Sequence, residues 1–449
     1  MEKQQNCGHY GLVTATTMII GIVIGSGIFF KGDDVLLYTG GNVGLGVLVF
    51  CIGAISIIFG CLSLIELSVR TKSNGGVVGY YEDFISKNIA CGFGWFQTFV
   101  YYPTLQVVVA WVAAVYTCSL FGIESTLELE ILIAIGYILV IYAMNIFSYK
   151  IGGYFQNTST FIKLIPLLGI ALVGIFASNV QPTIPEGVAV ISSRNVGFGW
   201  LAALTPIAFS FDGWIVATTI SGEVKNPKKT MPLALIIGPL TVLGVYILYF
   251  IGFSKLLGPE YIMSMGNQAV NQAGIYIFGS QGIRIMLIFV IIAVLGVING
   301  LTLGSIRMPQ ALASKGMIPA ANKVNHINEK YQLSIPSCLI SLITAFIWLV
   351  VHYITAKSGI LGGGDVSEIA VVFSYICYAL LYIKVFTMAK NKEIKSKFKG
   401  LVCPILAIVG VVCITLGGIV SNYVYVPIFI LICFIICFAG YAFMKKAEK

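Results

Sequence analysis

Apolar residues in this chain come in long runs of membrane-spanning length, about 20 residues each. A barrel strand would alternate apolar and polar positions over about 10 residues. Continuous runs such as 285–297 exclude that pattern. Twelve runs predict twelve membrane helices, at roughly 12–39, 43–68, 92–121, 128–148, 155–178, 197–222, 231–254, 276–306, 335–353, 367–389, 401–420 and 424–444. The first and sixth are interrupted. Ile24-Gly25-Ser26-Gly27-Ile28-Phe29 sets two glycines and a serine midway along the first, and Phe209-Ser210-Phe211-Asp212-Gly213 breaks the sixth.

Glycine inside a helix costs roughly 1 kcal/mol relative to alanine, and in hydrocarbon the freed backbone groups need partners. Two readings of Gly25–Gly27 follow. Small residues let neighbouring helices pack closely, or the break lines a binding site. The second break favours the site. An odd number of spans, five, separates the two, so the halves 12–178 and 197–389 are inverted repeats, followed by a further pair of helices at 401–444, all within one membrane domain, 1–449. Paired interrupted helices at corresponding positions point to a transporter's substrate site. A helix restarting near Ile28 offers free N–H groups, which suit a carboxylate. Unwound carbonyls suit an ammonium group. A zwitterion matches both ends.

Composition agrees: 58% of residues are hydrophobic and 10% charged, with mean hydropathy +0.94. The longest loops, 307–335 and 254–275, leave no room for a soluble domain. The net charge of +9 is no nucleic-acid signature, because the basic residues sit in short loops. Of 27 lysines and arginines, 21 fall on one side of the predicted topology, five on the other, and Lys163 inside a span. The positive-inside rule places both termini in the cytoplasm. The basic run 390–399 reads as a topology signal and a contact for anionic membrane lipids. The first apolar run lacks a cleavage site and reads as a retained span. Eleven scattered cysteines form no CxxC pair, and the three histidines fall near span ends or in loops. No metal-ligand cluster, cofactor motif or catalytic set emerges. A channel would need a continuous polar lining, and the spans carry too few polar residues for one. Lys163 in mid-helix costs roughly 2.5–3.5 kcal/mol on insertion scales, so it either snorkels to the surface or has a role.

The chain resembles the amino acid permeases of the amino acid–polyamine–organocation superfamily, and within it is similar to the L-type transporter branch and the bacterial serine/threonine exchangers. The motifs that carry the likeness are Ile24-Gly25-Ser26-Gly27-Ile28-Phe29, Phe209-Ser210-Phe211-Asp212-Gly213-Trp214, Ser221-Gly222-Glu223-Val224-Lys225-Asn226-Pro227, Asn299-Gly300 with Arg307 beyond, and Ala313-Ser314-Lys315-Gly316-Met317-Ile318-Pro319. The resemblance implies an all-α polytopic membrane protein with a LeuT-like 5+5 inverted repeat, helices 1 and 6 broken, and two additional helices. It implies that the substrate carboxylate meets the N–H groups of Ser26 and Gly27, with Gly25 giving access to the backbone. The amino group would meet the carbonyls of Val23, Phe209 and Asp212 at the break that also holds Ser210. Phe209 would close over the substrate, and Asn299 would lie nearby.

Lys163 stands where sodium-coupled relatives of the fold hold sodium, and would tie span 5 to the break of span 1 and to span 8. A fixed ammonium favours sodium-independent exchange; one that loses its proton suits proton symport. Asp212 is either a helix cap or an attractor of cationic substrates. Glu66 and Glu223 either pair with Arg70 or Arg307 at an inner gate or are solvated end residues. The loop 72–80 departs from the family pattern, lacking its proline and first tyrosine. The loop 121–129 holds no cysteine, so no covalently bound heavy subunit is expected. The expected function is exchange of small to medium neutral L-amino acids, of the serine, threonine and alanine type, by alternating access in the plasma membrane. Proton-coupled symport and cationic substrates at Asp212 are the alternatives.

Overall fold

The computed structural model describes residues 11–448 except 31, 72, 74, 75, 148, 177–181, 217, 219–223, 362 and 363, and except the side chains of Ser26, Phe30, Tyr149, Lys150, Pro227, Lys228 and Asn267. Among the described residues, twelve helical stretches are long and apolar enough to cross a membrane. Span 1 is broken into Leu12–Val23, Ser26–Phe30 and Gly32–Tyr38. Spans 2 to 5 are Val43–Ser68, Lys87–Phe121, Leu127–Phe147 and Tyr149–Phe176. Span 6 is Gly197–Val216 and span 7 Pro227–Leu257. Spans 8 to 12 are Gly282–Ser305, Ile335–Ser358, Val366–Lys390, Phe398–Ser421 and Tyr425–Ala447.

Local chemistry sets several ends. Asn42 caps span 2 by accepting from the Leu45 N–H, and Ser334 caps span 9. Ser86 does the same for span 3, which therefore starts at Lys87 rather than near 92. Span 8 differs more from expectation. Residues 276–278 belong to a separate helix, Ala269–Phe278, which ends at Gly279 with φ +70°. That helix folds back on span 8 so closely that a Cβ on Gly282 would sit 2.0 Å from the Gly274 carbonyl oxygen.

Burial locates the centre. The apolar windows of spans 1 and 6 are 76% and 83% buried, against 17% for span 12, whose Leu431, Ile435 and Phe438 face outward. The two broken helices are the core, and the last helix is a lipid-facing accessory. Span 1 packs on spans 5, 7 and 8; the helical part of span 6 packs on spans 2, 10 and 11. Adding five to a span number maps 1, 2 and 5 onto 6, 7 and 10, so the contacts of span 1 with 5 and 7 match those of span 6 with 10 and 2. Spans 3, 4, 8 and 9 are joined by buried hydrogen bonds: Gln106 donates to Thr302 at 2.9 Å, and the hydroxyls of Tyr142 and Ser341 lie 2.5 Å apart. Ser305 continues the chain to Ser341. Such bonds average about 0.6 kcal/mol each in a membrane; together they register the four helices around the broken pair.

Candidate functional site

The helix of span 1 runs to Val23. Ile24 is extended, with ψ 100°, and the helix resumes at Ser26, two residues earlier than the expected restart at Ile28. Both glycines also serve packing. A Cβ on Gly25 would lie 2.3 Å from Val297 Cγ2 of span 8, and one on Gly27 would lie 2.6 Å from Ser210 Cα of span 6. Opening and packing coincide at the motif: the helix opens at Ile24–Gly25, and the glycines let spans 6 and 8 close on the opening.

Span 6 is helical to Ser210, turns at Phe211–Gly213, and resumes as a short tight turn at Trp214–Val216. Gly213, at φ +95°, takes a left-handed conformation that a side chain resists. Its Cβ would also meet Ile22 of span 1 at 2.5 Å. The Ser210 hydroxyl donates to the Pro206 carbonyl at 2.8 Å, within its own helix.

Two side chains bond the backbone of the breaks, and a third bonds a side chain of the second break. Lys163 of span 5 is wholly buried, and its ammonium donates to the carbonyls of Gly21 at 2.5 Å and Ile24 at 2.7 Å. It does not snorkel. Towards span 8 it comes close to Gly296, where a Cβ would be 3.5 Å from Nζ, and no hydrogen bond to that span occurs among the described residues. The Tyr246 hydroxyl of span 7 lies 2.9 Å from the Val23 carbonyl oxygen and 2.8 Å from that of Ser210, so one side chain reaches both breaks. Asp212, 4% exposed, accepts from the Tyr101 hydroxyl at 2.5 Å. Tyr101 ends a π-helical segment of span 3, Gln97–Tyr101, a local widening often found at functional sites.

Between the breaks lies a cavity of about 20 Å³, bounded on one side by Val23, Gly25 and Gly27 and on the other by Phe209, Asp212 and Gly213. Its remaining wall is aliphatic: Leu105, Val109, Val297 and Leu301. Room on this scale admits about one water. Asn299 is not among the lining residues. It lies in a polar cluster with spans 4 and 5, accepting from Asn145 at 2.8 Å and donating to Gly152 O at 3.0 Å and Gln156 Oε1 at 3.1 Å. It holds span 8 to its neighbours instead.

On the side of the basic loops, Arg70 pairs with Glu66 at 2.6 Å, and Lys315 pairs with Glu82 across the bundle. Arg307 donates to the Leu303 carbonyl at 2.9 Å. Glu223 and the Ser26 side chain lie outside the described residues. Sequence reasoning missed Tyr246 and Tyr101. Each sits in an apolar run where no periodicity tells which face meets a broken helix.

Two interrupted helices that meet at their breaks, inside a ring of continuous spans and around a cavity, define a polytopic membrane carrier. The family model described as amino acid permease matches residues 10–445, and the chain belongs to that family. It is an amino acid transporter by membership. It is 29% identical to the serine/threonine exchanger SteT of Bacillus subtilis (strain 168) over 405 residues, 89% of this chain and 88% of that protein. It is 25% identical to the human b(0,+)-type amino acid transporter 1, over 96% of this chain and 88% of that protein. It is 28% identical to the human large neutral amino acids transporter small subunit 2, over 76% of this chain and 64% of that protein.

Proposed function

We propose that the protein exchanges small to medium neutral L-amino acids across a plasma membrane, without sodium, by alternating access between the halves 12–178 and 197–389. Both termini would be cytoplasmic, as the lysine and arginine bias of the loops argues. The single observation that carries the sodium-independent part is the fully buried Lys163 ammonium on the Gly21 and Ile24 carbonyls. An ammonium on the opened carbonyls of span 1 would supply the charge that a bound metal cation would otherwise bring.

The substrate carboxylate would take the N–H groups exposed where the helix resumes at Ser26 and Gly27. The ammonium group would take carbonyls of Val23, Phe209 and Asp212. Val23 O keeps one lone pair beside the Tyr246 bond, and Phe209 O, which accepts from the Asp212 N–H at 3.1 Å, lies at the opposite break. The walls Leu105, Val109, Val297 and Leu301 favour a neutral side chain. Asp212 is held by Tyr101, which argues against its serving as the attractor of a cationic one. The narrow cavity must widen to admit an amino acid, with Phe209 as the gate on the outer side. Glu66, paired with Arg70, and the helix end at Arg307 and Glu223 would form the inner gate. No covalently bound heavy subunit is needed in this reading.

Counterflow in proteoliposomes tests it. Vesicles preloaded with serine, alanine or threonine should take up labelled amino acid equally in sodium and choline media. A strict sodium requirement would overturn the reading. Uptake driven by an imposed pH gradient with no counter-substrate would replace exchange by proton symport.

A further inference from the structure

The basic run 390–399 takes no part in the site at the breaks. It joins the end of span 10 to the start of span 11 and carries five lysines, Lys390, Lys392, Lys395, Lys397 and Lys399, against one acid, Glu393. Its composition alone promises a contact with anionic lipid. Its geometry adds a link to span 2.

The run is a fixed turn and not a loose linker. Span 10 closes with the Lys392 N–H on the Ala389 carbonyl at 3.1 Å and the Glu393 N–H on the Met388 carbonyl at 2.9 Å, and Lys392 is left-handed at φ +63°. This is the double bond pattern that ends a helix sharply. Ile394, 4% exposed, plugs the turn against span 11, where a Cβ on Gly400 would lie 3.1 Å from its Cγ2. With Ile394 inside, Lys392, Lys395 and Lys397 are exposed, and their ammonium groups meet no carboxylate among the described residues. Phe398, between Lys397 and Lys399, is 53% exposed, and Val402 one turn on is 42% exposed. Cations bordering exposed apolar side chains are the pattern of a headgroup boundary.

Lys399 connects this row to span 2. Its ammonium lies 3.9 Å from Glu66 Oε1, while Glu66 Oε2 takes Arg70 at 2.6 Å. The Phe398 ring meets Phe59 of span 2 with centroids 6.5 Å apart. Glu66 is therefore held tightly within its own helix and loosely from span 11. A long pair whose lysine is half in water contributes little, so another anion competes for that lysine without displacing Arg70.

We propose that the 390–399 turn is a docking surface for anionic phospholipid headgroups of the leaflet on the side of the basic loops, and that a headgroup phosphate there draws Lys399 from Glu66 and frees the inner end of span 2 from span 11. The second half rests on the reading of Glu66 as part of the inner gate. The partner is argued by charge: the exposed lysines attract an anionic surface, and the attraction fades within a Debye length. A zwitterionic headgroup brings its own cation and gains no net attraction.

The purified full-length protein in detergent is titrated with dioctanoyl-phosphatidylglycerol, with dioctanoyl-phosphatidylcholine, inorganic phosphate and poly-glutamate as comparisons. Only the first should raise the unfolding midpoint saturably, and added salt should weaken the rise. Combining Lys392→Gln, Lys395→Gln and Lys397→Gln should raise its half-saturating concentration at least tenfold and leave the lipid-free midpoint in place. In liposomes, serine counterflow by the parent should be at least twofold faster with phosphatidylglycerol mixed into phosphatidylcholine. The triple variant should gain nothing from it, and Lys399→Gln should be fast in both. An equal rise with phosphatidylcholine, phosphate or poly-glutamate, or a triple variant that titrates like the parent, would overturn the surface. A responsive midpoint with a counterflow rate indifferent to phosphatidylglycerol would overturn the link to the gate. Absence of exchange in every liposome would instead count against the proposed transport, and the midpoint would still decide the surface.

Discussion

Lys163 Nζ lies 2.7 Å from the carbonyl oxygen of Ile24, the residue at which span 1 stops being a helix. The same ammonium holds the Gly21 carbonyl one turn earlier. The opened end of the helix is therefore held by the ammonium of a side chain from span 5. Removing the donor leaves two buried carbonyls short of a partner, at about 1–3 kcal/mol each. Lys163→Ala should lower the unfolding midpoint and reduce serine counterflow at least tenfold. Lys163→Arg should not restore transport, because a planar fork does not place a point charge between two carbonyls. Transport near the parent level in Lys163→Ala would remove this residue from the mechanism.

The Tyr246 hydroxyl makes a different prediction, since it reaches both breaks at once, 2.9 Å from Val23 O and 2.8 Å from Ser210 O. One proton serves two carbonyls, which sets the distance between spans 1 and 6 at the cavity edge. Tyr246→Phe keeps the ring contacts with Phe50 and Phe211 and deletes only the hydroxyl. About 1–3 kcal/mol of stability should be lost. The apparent affinity for serine should fall severalfold, with little change in maximal counterflow rate once substrate saturates. A change in rate at unchanged affinity would mean that the hydroxyl acts on the motion and not on the site.

How far the sequence foretold this arrangement follows from what periodicity carries. The twelve spans, the two breaks and the unusual Lys163 were legible because length, glycine and a mid-membrane charge are properties of the residues themselves. Which face of a helix meets which neighbour was not. Tyr246 and Tyr101 are ordinary tyrosines in apolar runs, and the helices there are apolar nearly all round, so no amphipathic stripe marks the inward side. The orientation of Asn299 was hidden for the same reason. It was expected beside the substrate, and the rotation of span 8 carries it to Asn145 and Gln156. The fold-back before span 8 was hidden because Ala269–Phe278 is itself apolar enough to read as part of that span.

The glycines separate close packing from helix weakness. A Cβ at Gly27 would stand 2.6 Å from Ser210 Cα, a backbone atom that moves only if span 6 moves. Gly136 of span 4, on an exposed face, has nothing within 4 Å. Gly136→Ala should be neutral or stabilising by up to about 1 kcal/mol, as alanine is the better helix former. Gly27→Ala should destabilise by about 1–3 kcal/mol through overpacking, and it should depress counterflow more than stability, because the crossing it spreads lies at the site. Equal effects of the two substitutions on the unfolding midpoint would contradict the crossing of spans 1 and 6 at this residue.

Tyr101 decides whether Asp212 is available to a substrate. Its hydroxyl donates to Asp212 Oδ2 at 2.5 Å, both groups are buried, and the acid lines the cavity. A carboxylate with one oxygen held by a neighbouring hydroxyl has less to gain from a cationic side chain than one stripped of that donor. Tyr101→Phe should therefore lower stability by roughly 1–3 kcal/mol and make lysine or arginine uptake measurable beside serine uptake in the same vesicles. Should lysine stay excluded while serine exchange persists, selectivity against cations would rest on the aliphatic walls at Leu105, Val109, Val297 and Leu301 and not on the tyrosine. Should the parent protein already prefer lysine or arginine, Asp212 is an attractor despite its bond to Tyr101, and the neutral-substrate reading fails.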